Sequence, residues 1–154
     1  MKLKTLDHYW KYVLVGLGIL TIGLIFFYSR YPLTPKLSIN GHTFTYEIAI
    51  TPAQLSKGLG GHTPLAADHG MLFVFDRKEQ FQFWMKDMTF PLDMIWIDDT
   101  KVVDISKNVP VPVTGQQLPI FSPKAPVNRV FEVNAGTADK LGLKEGDTVE
   151  YLRK

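Results

Sequence analysis

Gly70 to Asp98, GMLFVFDRKEQFQFWMKDMTFPLDMIWID, holds most of the large apolar residues outside the N-terminus, so a folded domain in this chain has to be built around it. Three strands are predicted here. Met71 to Phe75 is an unbroken apolar run of strand length, Gln80 to Met85 alternates polar with aromatic residues, and Met94 to Ile97 is apolar again. Pro91 and the DRKE and DD clusters interrupt any helix and are read as the turns between these strands. The core of this chain is therefore predicted to be β-structure.

The other dominant feature is Tyr12 to Tyr28, YVLVGLGILTIGLIFFY, which carries no charge. At about 1.5 Å per helical residue such a run reaches roughly the thickness of bilayer hydrocarbon. Trp10, Tyr12, Tyr28 and Tyr31 sit at its ends, Lys2, Lys4 and Lys11 precede it, and Arg30 and Lys36 follow. The bulky FFYSRYPL after the run lacks the small residues of a cleavage site. The reading is a single-pass anchor in membrane lipid through residues 12–28, N-terminus cytoplasmic, with the rest of the chain extracytoplasmic. Residues 1–30 are then stub and anchor, 31–36 a proline-containing tether, and 37–154 a separate domain.

Charge divides along the same line. Residues 1–36 hold five basic side chains against Asp7, leaving 12 basic and 14 acidic side chains for 37–154. A mildly acidic domain does not suggest a nucleic-acid partner. No cysteine is present, which removes disulfides, thiol nucleophiles and thiolate metal sites.

Within the domain, Leu37 to Ile39 and His42 to Ile50 flank Asn40-Gly41, a pair suited to a hairpin turn with positive φ at both positions. Thr51-Pro52-Ala53-Gln54 combines a capping box with proline at the first helical position and starts a short helix ending near Gly58. Residues 58–70 read as a glycine-containing connector. Lys101 to Ile105 is predicted to pair with Met94 to Ile97. Between Val109 and Pro126, five prolines indicate a long surface loop. Val127 to Val133 and Thr148 to Leu152 are the last strands, with a helical turn at Thr137 to Leu141 between them.

The series GMLFVF, FWMK, FPLDMIWID, FEVNAG and LGLKEGDTVEY, in this order and spacing, resembles the DUF192 family over about Leu37 to Tyr151. The resemblance implies a compact β-sandwich or barrel-like domain, often exported or membrane-tethered, with no established activity and no catalytic residues to carry over. Where the family usually has Gly-Leu-Met followed closely by arginine, this chain has Gly58-Leu59-Gly60-Gly61-His62. The expected fold is accordingly all-β, a sandwich or barrel with two short helices, preceded by one transmembrane helix.

Charged residues set among apolar neighbours are the candidates for chemistry: Glu47, Lys86, Asp93 and Glu132. A charge in such surroundings is solvent-facing or paired, because isolated burial costs several kcal/mol. Alternation puts Glu132 with Asn128, Val130 and Asn134 on one face of its strand, read as the wetter one. One hypothesis is a ligand-facing cluster of Lys86, Asp93 and Glu132 floored by Trp84, suited to a small polar molecule or glycan. A rival is a hydrolase of cell-envelope glycans using Asp93 and Glu132 as acid and base. A third reading is a structural or assembly subunit with a protein partner. Met71, Met85, Met88 and Met94 with His42, His62 and His69 would suit Cu(I), but methionine among Leu, Phe and Ile is ordinarily a core filler. No His-x-x-x-His pair is present, and no metal or cofactor is expected. The preferred function is a non-catalytic binding module.

Overall fold

The structure is a computed structural model that describes residues 3–30, 34–113 and 115–152. Residues 31–33 of the expected tether lie outside the described part. The chain divides into two compact units, Met1–Leu33 and Thr34–Lys154. The first is a single helix, α1 (Leu3–Arg30), whose Tyr9–Phe26 stretch has a mean hydropathy of 1.7 and no buried residue. Among the described residues it is the one helix long and apolar enough to cross a membrane.

The second unit is one curled, mixed sheet of seven strands with two short helices, the barrel-like form of the expected all-β fold. Its strands are β1 (Lys36–Ile39), β2 (His42–Ala49), β3 (His69–Glu79), β4 (Leu92–Asp98), β5 (Lys101–Val109), β6 (Val127–Asn134) and β7 (Val149–Leu152). The spatial order is β5-β4-β6-β3-β2-β1-β7. The two outer strands meet at one end, where Lys101 and Thr148 form a bridge and Val102 N–H donates to Asp147 O at 3.0 Å. Joining its edges there protects backbone groups that an open sheet would leave exposed.

Local signals account for the connections. Asn40 and Gly41 have φ of 51° and 78°, as their hairpin requires. In α2 (Pro52–Lys57) the Thr51 side chain accepts from Gln54 N–H while Gln54 Oε1 accepts from Thr51 N–H, closing the capping box. This helix is the crossover between β2 and β3, which are parallel. The last helix, α3 (Thr137–Lys140), is a single turn before Gly142.

Two predicted strand boundaries are corrected. The charged DRKE cluster does not end a strand: β3 runs on through it to Glu79, where charged residues are accommodated because the strand leaves its neighbour and resumes pairing only at Glu79 with Val127. Gln80 to Met85 is not a sheet strand. It folds back over the sheet and pairs only at Phe83, which exchanges backbone hydrogen bonds of 2.9 and 2.8 Å with Phe121. Its alternation serves packing instead: Phe81, Phe83 and Met85 turn inward, while Gln82, Trp84 and Lys86 turn out.

The sheet has two apolar faces. Leu37, Phe44, Leu72, Ile95, Val102, Phe131 and Val149, from all seven strands, fill the interior of the curl. Met71, Phe73, Met94, Trp96 and Val130 lie on the outer face, where the 80–91 segment and Leu59 cover them. Gly70 leaves room for the Phe131 ring to lie over β3, because a Cβ there would come within 2.4 Å of that ring and 2.7 Å of the Glu132 carbonyl. Gly70→Ala is therefore expected to destabilise the domain by about 1–3 kcal/mol in urea denaturation, with the loss expressed as a lower midpoint.

Candidate functional site

The cover over the outer face is incomplete, and the gap is a cleft of ≈ 270 Å³. One wall comes from α2 and the Gly58-Leu59-Gly60 turn, the other from the 80–91 segment. Glycine makes the first wall possible. A Cβ on Gly60 would sit 3.0 Å from Lys57 O and 3.3 Å from Lys86 O, so a bare backbone is what lets this turn pass so close to Lys86. Gly61 N–H donates to Asp87 O at 3.0 Å and Thr89 Oγ1 donates to His62 O at 3.2 Å, which ties the two walls together.

Aromatic packing holds the second wall against the sheet. Phe83 meets Phe73 edge-on at 5.0 Å and Trp96 at 5.3 Å, and Phe81 stacks on Phe75 at 3.7 Å. Such ring pairs add about 0.5–1.5 kcal/mol each beyond area burial. Trp84, expected as the floor of a site, is 48% exposed and stands at the rim of the cleft with exposed Lys57 and Lys86. Outward alternation from Phe83 puts it there.

Glu132 is the buried charged residue of the lining. It is 4% exposed, and while its backbone pairs with β3 and β4 its carboxyl has no hydrogen-bond or ion-pair partner among the described residues. Its cross-strand neighbours on both sides are methionines, Met71 on β3 and Met94 on β4. Burial among them pushes the Glu132 carboxyl up to about 8. The face predicted to be wet is thus covered, because alternation tells which residues share a face and not what lies over it.

Asp93 belongs elsewhere. It opposes Val133, one position out of phase with Glu132, and so lies on the opposite face of the sheet. It is fully buried, and its Oδ1 accepts from Asn108 N–H while its Oδ2 accepts from Ala138 N–H, both at 2.7 Å. The first bond holds the irregular step in β5 where Asn108 has φ 52°; the second fastens the start of α3. The expected cluster of Lys86, Asp93 and Glu132 therefore separates into Lys86 and Glu132 at the cleft and Asp93 as a structural carboxyl. Asp93 and Glu132 share no cavity, so the acid–base pair of a glycan hydrolase is not formed by them.

Glu47 stands near His62 and His69, with Nε2 to carboxyl distances of 3.9 and 3.6 Å, at a separate surface place. Thr45 Oγ1 lies 2.9 Å from His69 Nδ1. Among the described residues, no group of three or more His, Asp or Glu side chains is disposed to hold a metal ion. The four methionines weighed as copper ligands are all buried in the outer-face core.

The DUF192 family model, described as an uncharacterized ACR, COG1430, matches residues 35–151. The chain belongs to the DUF192 family. The chain is similar to a crystal structure described as a candidate transcription regulator from Sinorhizobium meliloti 1021, with 34% identity and a TM-score of 0.70 over 77% of this chain and 93% of that one. It is also similar to a protein of unknown function from Novosphingobium aromaticivorans DSM 12444, with 32% identity and a TM-score of 0.69 over 75% of this chain and 84% of that one. No curated protein matches the chain. The DUF192 sheet is thus shared with solved relatives, and the resemblance carried by GMLFVF, FWMK and FPLDMIWID is that of a true member.

The two buried carboxyls are separable by experiment. Removing Asp93 strands two backbone N–H groups, so Asp93→Ala is expected to cost roughly 2–4 kcal/mol. Glu132 works the other way. Its folded pKa of about 8 lies above its ordinary value of 4.5, so its contribution is most favourable below about pH 4.5 and is lost as pH rises toward about 8. Denaturation at pH 5 and pH 8 is expected to show wild type losing stability at up to roughly 1.4 kcal/mol per pH unit, and Glu132→Gln losing less.

Proposed function

We propose that residues 34–152 form a non-catalytic binding module that takes a small, largely apolar molecule with a polar end into the cleft beneath the 80–91 segment. The observation that carries this reading is Glu132: a carboxyl without a protein partner, almost wholly buried in the lining of an apolar cleft, costs stability that a bound ligand group could offset. Phe73, Phe75, Phe81, Phe83 and Trp84 supply flat apolar walls, and Lys57 and Lys86 add positive charge at the mouth. This reading departs from the small polar molecule, glycan or protein partner expected from sequence, because a mostly apolar lining suits a mostly apolar ligand.

A nucleic-acid role, suggested by the description of the Sinorhizobium neighbour, has little electrostatic support, since 37–154 carries 12 basic against 14 acidic side chains. In the same reading α1 is an uncleaved anchor, its Lys-bearing N-terminus cytoplasmic and the module extracytoplasmic. The full chain is expected to resist carbonate extraction from membranes while its module is cut by protease added to spheroplasts. Release into the soluble fraction would overturn the anchor.

The cleft is tested with 1-anilinonaphthalene-8-sulfonate, whose rings suit the aromatic walls and whose sulfonate suits the lysines. Saturable fluorescence at one site per chain is expected. Ser56→Trp, an exposed change on α2 that fills the mouth, should weaken it at least tenfold at unchanged melting temperature. Binding that is unsaturable or indifferent to this substitution would overturn the reading.

A further inference from the structure

We infer that the ligand of this cleft is an amphiphilic organic amine, its ammonium nitrogen seated on Glu132 and its apolar body held between Phe73, Phe83 and Trp84. The inference rests on the binding-module reading and specifies the chemistry of its deepest contact.

Three observations point to a cation. Glu132 is the buried charged residue in the lining of the cleft, and no described lysine, arginine or histidine pairs with it. None of the described titratable groups on the elements around it pairs with its carboxyl, although Lys57 and Lys86 line the same cleft. Lys57 on α2 and Lys86 and Asp87 on the 80–91 segment are exposed, His62 and His69 stand near Glu47, and Asp93 on β4 is on the other face. The protein itself leaves the countercharge of this carboxyl unsupplied.

The walls are suited to the same charge. Aromatic faces attract an ammonium through their quadrupole, and the attraction grows when water is excluded. Met85 and Met88 add polarisable sulfur to the lining. A cavity of ≈ 270 Å³ accommodates an arylalkyl or alkyl amine of modest size. An anionic ligand head would meet a burial cost at Glu132 and belongs at the lysine-bearing rim instead.

Proton balance gives the inference a signature. Below about pH 8 the free protein holds Glu132 as the neutral acid, and the free amine is an ammonium ion. Forming the ion pair requires the acid to give up its proton to solvent, so the complex contains R-NH3⁺ and the carboxylate and one proton is released. Affinity should then rise close to tenfold per pH unit toward pH 8, level off, and fall once the amine itself loses its proton near pH 10.

The decisive comparison is 4-phenylbutylamine against 4-phenylbutan-1-ol, which fills the same space without the charge. Binding to the full-length protein in detergent is followed by Trp fluorescence at pH 6 and pH 8 and by calorimetry in two buffers of different ionisation enthalpy. The amine is expected to bind at least tenfold tighter than the alcohol at pH 8, to weaken at least tenfold at pH 6, and to release close to one proton at pH 6. Glu132→Gln should bring amine and alcohol to within threefold of each other, with a single cooperative unfolding transition as evidence that the variant is folded. Equal binding of the two by wild type, or an amine preference that survives Glu132→Gln, would overturn the amine while leaving the cleft reading standing. Failure of both compounds and of the naphthalene probe would sink the two together.

Discussion

The structure depends on the alternation of side chains along β6, an interior strand paired with β4 on one side and β3 on the other. Phe131 turns into the curl, where its ring lies against Gly70 and meets Phe44 edge-on at 5.4 Å. Glu132, the next residue, necessarily turns the other way, onto a face that the chain covers with its own 80–91 segment. Because a one-residue slip would exchange every inward and outward position, the register that buries Phe131 is also what commits Glu132 to an apolar site. Core and cleft are two consequences of one pairing.

Two buried carboxyls sit one residue out of phase on adjacent strands, and their environments could hardly differ more. Asp93 is met by two backbone N–H groups, and it joins the irregular step of β5 to the first turn of α3. Glu132 is met by methionines and open space. A satisfied buried carboxyl stabilises its surroundings, whereas an unsatisfied one is a cost borne by the fold. That contrast separates scaffold from site here more cleanly than residue type does, since the sequence presents both as an acid amid apolar neighbours.

The cover over the outer face is the part of the domain built for access. Its two walls are joined by hydrogen bonds from Gly61 N–H and the Thr89 hydroxyl, and the glycine turn runs directly past Lys86. A larger residue at position 60 would push this turn away from its neighbour, so the local sequence of the turn and the width of the cleft are linked. The turn contributes only Leu59 to the outer-face core.

Much of the architecture was legible in the residues. The Asn40-Gly41 hairpin, the capping box at Thr51 and Gln54, the strands around Met94 and Val130, and the long apolar helix all follow from short-range rules of turn geometry, capping and periodicity. The motif series from GMLFVF to LGLKEGDTVEY was enough to point to the DUF192 family. Tertiary structure alone decided that Gln80–Met85 lies over the sheet and not in it, since alternation is the same for a segment that pairs and one that merely packs. It alone put Asp93 and Glu132 on opposite faces and left only the second without a partner: separation and solvation depend on strand register and on what covers each face, and neither is written in the spacing of residues along a chain.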